Sequence, residues 1–264
     1  PTGESGDFEK ANFPIGVEGG KTSTCPTQNL MEAYDMKDGT PFVWNNQSNP
    51  YDNRDPRMKY TIVCNEMKWP VDPVEIWEGG TNGLPLQNAT TTGYYLKKYV
   101  NNTISFEAGS TVTKKQHNWV LFRYGEILLN YAEAMINAFH DPNYKDAVYN
   151  MSAREAVNQI RGRTNISLPG FPSDITEKDF VKRLKNERRV ELAFEGHRFW
   201  DVRRWKELGQ TANIYGVKIT KNNEVISYEK FLLETRAVTD NMYFYPIPNT
   251  ERFKNPNLGQ NPGW

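Results

Sequence analysis

The sequence predicts a mainly α-helical fold with irregular loops and short β-hairpins. Three observations carry that reading. Leu121, Tyr124, Leu128, Tyr131, Met135 and Phe139 recur at the three- and four-residue steps of a helix that buries one stripe. Ser152 and Glu155 form an S-x-x-E capping box, in which a hydroxyl and a carboxylate each satisfy a backbone N–H left unpaired at a helix start. Outside this stretch Gly, Pro and Asn interrupt the chain too often for long regular elements.

In chain order, residues 1–24 carry Gly3, Gly6, Gly16, Gly19 and Gly20 without periodicity and read as loop. Residues 29–36 are a short helix candidate, closed by a turn at Lys37-Asp38-Gly39, and residues 40–57 are irregular. Residues 58–67 and 93–100 are strand candidates. Between them runs a Gly- and Pro-broken excursion with Trp69 and Trp77; a loop of that length inside a compact domain is usually functional or disordered. A helix pair is expected over 121–163, its second helix burying Val157 and Ile160. Thr176 with Asp179 caps a third helix, through Phe180, Leu184, Leu192 and Phe194. Residues 215–220 and 224–228 flank Lys221-Asn222-Asn223 as a hairpin, since Asn tolerates positive φ. The last twenty residues, with Pro246, Pro248, Pro256 and Pro262, read as extended coil.

Composition narrows the function. The 264 residues hold 32 Lys plus Arg and 32 Asp plus Glu, a formal net charge of zero, without the positive surplus a nucleic-acid binder needs. Fourteen Tyr, 13 Phe and 7 Trp beside three His and two Cys suit a binding surface better than a metal or acid–base centre. No apolar run reaches the ~20 residues of a membrane-spanning helix. Cys25 and Cys64 fit two small buried hydrophobes as well as a disulfide. The chain opens at Pro1 without Met, so either a targeting segment was removed or the sequence begins partway through a longer protein. There is no phosphate loop, H-E-x-x-H, C-x-x-C or G-x-S-x-G, and Asp35, Asp38, Asp52 and Asp55 do not form a calcium loop. No metal, cofactor or catalytic residue is expected.

The densest feature is NERRVELAFEGHRFWDVRRW (186–205). Glu187, Glu191 and Glu195 lie at i, i+4 and i+8, where like charges repel unless cations intervene. Arg188 and Arg198 are close by, and guanidinium groups pair with carboxylates in bidentate fashion. A glycosidase would use two of these carboxylates across a glycosidic bond, but such residues project from separate elements into a cleft. The five are therefore read as a structural ion network. Arg123, Arg161 and Arg163 are the outside partners expected for Glu191 and Glu195. His197, with Asp201 four residues on, is read as structural rather than as a base.

Several strings together resemble the SusD/RagB family of nutrient-binding outer-membrane lipoproteins: PTQNLMEAYDMKDG (26–39), NPYDNRDPR (49–57), GYYLKKYV (93–100), FRYGEILLNYAEAMIN (122–137), AVNQIRGRT (156–164), NERRVELAFEGHRFWDVRRW (186–205) and YPIPNTERFKNPNLGQNPGW (245–264). They follow family order along nearly the whole chain. Gly125 departs from the Ala usual in the RYAE string, a helix penalty of about 1 kcal/mol unless something packs closely there. The resemblance implies a SusD-like fold with a tetratricopeptide-type helix pair and a coil-rich C-terminal region. It further implies non-catalytic capture of an oligosaccharide or polysaccharide, in some members peptides, at the cell outer membrane. The implied partner is a SusC-like TonB-dependent transporter. Family members run to about twice this length, so residues 1–264 read as one C-terminal domain whose N-terminal half and lipid anchor lie elsewhere. The rival reading, a free tetratricopeptide-like interaction module, is disfavoured because one helix pair falls short of the roughly three repeats such arrays need.

If this chain contacts the ligand, Trp44, Trp69 and Trp77 lead the candidates, since the C–H faces of sugars stack on aromatic rings. Asn45 and Asn46 after Trp44 supply hydroxyl partners, as do Asp72, Glu75 and Glu78 around the other two. Trp44 is equally suited to plug its loop onto the core, and for Trp69 and Trp77 that structural role is the favoured one.

Overall fold

The computed structural model describes residues 4–45, 49–106 and 113–264. Its first part is largely irregular chain around three short helices: α1 (Asp7–Asn12), α2 (Gln28–Met31) and α3 (Pro56–Thr61). Helix α1 falls where the glycines read as loop; Asp7 and Glu9 favour its first turn, and Glu9 is buried. Helix α2 is shorter than the expected 29–36, capped by Thr27. Helix α3 starts on the Asp55 cap with Pro56 at its first position. It takes up the first four residues of the strand expected at 58–67, leaving only β1 (Ile62–Val63), paired antiparallel with β2 (Tyr95–Leu96).

Three helices form the second part: α4 (Tyr124–Phe139), α5 (Ala153–Arg161) and α6 (Glu177–Glu191). The capping box of α5 is present in both directions, and Thr176 caps α6. The buried stripe of α4 is Leu128, Leu129, Ala132, Met135 and Ile136, rotated from the expected one. Tyr124 and Leu121 face outward because α5 and α6 both pack on the opposite side. Residues 186–205 are not one helix. Helix α6 stops at Glu191, Phe194 and Gly196 take positive φ (60° and 83°), and α7 (Arg198–Arg204) restarts beyond them. The hairpin is longer than expected, β3 (Asn213–Asn222) with β4 (Val225–Thr235), turning at Asn223-Glu224 with Asn223 at φ 54°. The closing coil contains α8 (Asn249–Lys254), which has Glu251 in its first turn and a Glu251–Lys254 pair.

Two apolar cores result. One gathers Met31, Tyr34, Ile62, Tyr94 and Tyr95 under the hairpin residues Val217, Ile219 and Tyr228. The other lies among α4, α5 and α6 around Leu129, Ile136, Ile160 and Phe180. Cys25 and Cys64 are free thiols; burial pushes that of Cys64 up to about 12. Among the described residues no helix is long and apolar enough to cross a membrane.

Candidate functional site

A dense set of ion pairs joins the first part of the chain to α4–α6, beside the apolar contact that Val190 and Phe194 make with the first core. Arg57 on α3 reaches Glu187 at 2.5 Å and Glu191 at 2.9 Å on α6, and also pairs with Asp55. Arg161 on α5 holds Glu187 at 2.7 Å and Asp35 at 3.1 Å. Arg123, just before α4, forks onto Glu191 and Glu195, and Arg163 adds two bonds to Glu191. Lys98 closes the set on Glu195 at 2.6 Å. Arg188 instead pairs with Asp201 on α7 and bonds Asn130.

Arg198 stands outside the network: the turn before α7 swings it away, and its Nη2 donates to Gln210. His197 lies beside Glu126 and Arg188, while the carboxylate of Asp201 is taken by Arg188 and Arg204. Burial alone would raise the pKa of Glu191, but Arg57, Arg123 and Arg163 outweigh it and hold the group down at about 2. With four guanidinium N–H groups on its two oxygens, the Glu191 carboxylate has its acceptor sites filled within the protein.

Gly125 is explained by the same network. A Cβ there would meet Arg123 Nη1 at 2.7 Å and Glu191 Oε1 at 3.2 Å. Its lack of a side chain lets the fork close against the start of α4.

The three tryptophans do not form one platform. Trp69 is 7% exposed, fills the wall of a cleft, and has Lys97 4.9 Å from its ring centre; its buried Nε1–H has no acceptor among the described residues. Trp77 is half-buried under Lys221 at 4.5 Å. Trp44, also half-buried, meets Phe42 edge-on. Asn45 is exposed, and Asn46 lies outside the described residues. Glu75 is used by Thr81, and Glu78 faces Lys218.

The cleft beside Trp69 has a volume of roughly 640 Å³. Phe13, Val74 and Phe106 give it an apolar floor, and Glu18, Asp72, Asn102 and Thr103 a polar rim. Glu18 and Asp72 carry no ion pair among the described residues. Of this rim the sequence pointed only to Asp72. The remainder comes from loops near residues 18 and 102 that carry no pattern linking them to Trp69. Such a mixture of apolar floor and hydrogen-bonding groups has the chemistry that suits a polyhydroxylated ligand.

Comparison with known proteins places this geometry. Residues 4–264 match the SusD family. A SusD-like protein of Formosa agariphila is 29% identical over 163 residues, 60% of this chain and 28% of its own length. A second from the same organism is 37% identical over 150 residues, 54% of this chain and 24% of its own. A SusD-like crystal structure from Bacteroides fragilis superposes with a TM-score of 0.80 at 26% identity, over 100% of this chain and 53% of that one. Another from that species, described as a SusD-like carbohydrate binding protein, gives 0.73 at 25% identity, over 96% of this chain and 51% of that one. The chain thus spans about half the length of these solved structures and about a quarter of the curated relatives. With the family matched from residue 4 to residue 264 and its helical and hairpin elements in place, the chain belongs to the SusD family.

Proposed function

We propose that this chain is the C-terminal half of a cell-surface lipoprotein that captures glycans without cleaving them and passes them to a SusC-like TonB-dependent transporter in the outer membrane. The observation that carries the reading is the likeness, along 96% of the chain, to a SusD-like carbohydrate binding protein. The cleft beside Trp69 supports it, with its apolar floor and unpaired rim carboxylates and amides. So does the ion network, because guanidinium-saturated carboxylates are unsuited to acid–base catalysis. Trp69 lines this cleft, while Trp44 and Trp77 pack on the same core outside its lining; Trp44 and Asn45 are kept as candidate contacts, with Asn46 beside them in sequence. The exposed face of α4 receives the N-terminal half of the same protein.

A glycan-array screen of the full-length protein, followed by titration of the best binder, tests the reading. Depletion of free glycan without product release is expected. Trp44→Ala and Asp72→Asn should each weaken binding by about three- to tenfold, the affinity equivalent of one lost contact. Release of shortened product would make the protein a hydrolase, and tight binding of peptides instead of glycans would change the ligand class.

A further inference from the structure

Helix α6 has a second charged face that the ion network leaves unused. Lys178, Lys182, Lys185 and Arg189 recur at steps of four, three and four residues, so they stack along one side of the helix. That side walls a cleft of roughly 460 Å³, which Arg198 also lines. The stripe runs inward from solvent: Lys178 and Lys182 are exposed, Lys185 and Arg189 half-buried.

Its charges are poorly matched. Lys185 pairs with Glu207 at 2.5 Å, and Arg198 bonds only the neutral Gln210. Lys178, Lys182 and Arg189 make no hydrogen bond or ion pair among the described residues. Glu32 is engaged by Lys230 outside the cleft, and Asp35 by Arg161 and by the lining residue Arg183. Six cations against three carboxylates leave the lining three charges positive. Burial, and then the charge of Arg198, lower the pKa of Arg189 to about 10. Arg189 is thus a half-buried cation without an ion-pair partner among the described residues, placed to pair with an anion supplied from outside. Pro41 and Phe42 give the same cleft an apolar wall.

We propose that this cleft binds an acidic glycan, a uronate or sulfate group seated on Arg189 and Arg198 and the rest of the polyanion lying along the lysine stripe. Resting on the glycan-capture reading, this names the class of glycan. A guanidinium fork matches the paired oxygens of a carboxylate or sulfate, and lysines serve as point charges for further anions. Residues 178–189 span about 16 Å along the axis, long enough to follow an extended chain rather than one ion.

The test is calorimetric titration of the full-length protein with alginate oligosaccharides, sulfated dextran oligosaccharides, neutral dextran of the same length, polyglutamate and inorganic sulfate. Comparing the first two tells uronate from sulfate. Expected is binding of one or both acidic saccharides at least about tenfold tighter than neutral dextran, weakening as salt rises. Arg189→Gln should weaken it about tenfold, one charge-assisted hydrogen bond. The surface variant Lys182→Gln, which threatens no packing, should weaken it about threefold. Four outcomes overturn the proposal: neutral dextran binding as tightly as the acidic saccharides, unchanged affinity in Lys182→Gln, polyglutamate matching the saccharides, or inorganic sulfate matching them alone. The first sinks this site and leaves glycan capture standing. Binding of no saccharide at all sinks both.

Discussion

Glu191 is the residue on which the most charge converges. Its carboxylate accepts from Arg57, Arg123 and Arg163 while buried, so removing it leaves Arg163 without its carboxylate and takes one partner each from Arg57 and Arg123. Glu191→Ala should therefore cost about 3–5 kcal/mol, measured by urea unfolding, and a normally stable variant would refute the structural role. The pH dependence follows in sign. The folded pKa, about 2, lies below the ordinary value of 4.5. Its contribution is thus complete above about pH 4.5 and is lost as pH falls toward 2, on the order of 3 kcal/mol. Glu187 and Glu195 are shifted the same way, burial opposing and their arginines and Lys98 prevailing. Unfolding midpoints that stay flat between pH 5 and 2 would contradict this. Gly125→Ala gains helix propensity but drives a methyl into the Arg123 fork; a net loss of about 1 kcal/mol is expected, since a charge-assisted bond outweighs propensity. That carboxylates of residues 187–195 would find arginines was legible from their i, i+4 spacing. Arg57 was not, because it lies 130 residues before Glu187 and no local pattern encodes so distant a partner.

At the scale of elements, local chemistry was readable wherever the signal was itself local. The α5 capping box needs only Ser152 and Glu155, whose bonds measure 3.1 and 2.8 Å. Ser152→Ala should cost about 1 kcal/mol in thermal or urea unfolding; an unchanged midpoint would mean the helix is held by packing alone. The break between α6 and α7 was harder to see, since the apolar and charged spacing of 186–205 continues through it. Only the glycine at 196, at φ 83°, marks the place where the chain leaves the helix. Strand lengths failed for a different reason. Residues 58–61 have strand-like composition, but an Asp-Pro start just upstream nucleates α3 instead. The Trp69 cleft was half legible: the tryptophan and Asp72 stood out, whereas loops brought together only by tertiary packing supplied the rest of its rim.

The whole molecule raises the question of what covers α4. Tyr124, Ile127, Ala134 and Ala138 lie exposed along α4 at steps of three, seven and four residues, whereas Tyr131 between them packs on the helical core and donates to the Met151 carbonyl. Tyr124 and Ile127 are 68% and 49% exposed, and Leu121 and Phe122 just before them 85% and 74%. A soluble surface seldom leaves so continuous an apolar strip open. The solved relatives are about twice as long as this chain, and we propose that a further half of this protein covers the strip. The corresponding experiment contrasts two contexts. Ile127→Glu should lower the stability of the full-length protein by about 2–3 kcal/mol, because the strip is then buried and a charge enters it unpaired. In residues 1–264 expressed alone, the same change should move stability by less than about 0.5 kcal/mol, as at any exposed site, and should reduce self-association and binding of a hydrophobic dye. Equal, small effects in both contexts would mean that α4 faces solvent in the full-length protein as well. A large effect confined to the full-length protein would locate the contact between its halves on this helix, on the side of α4 opposite the contacts with α5 and α6.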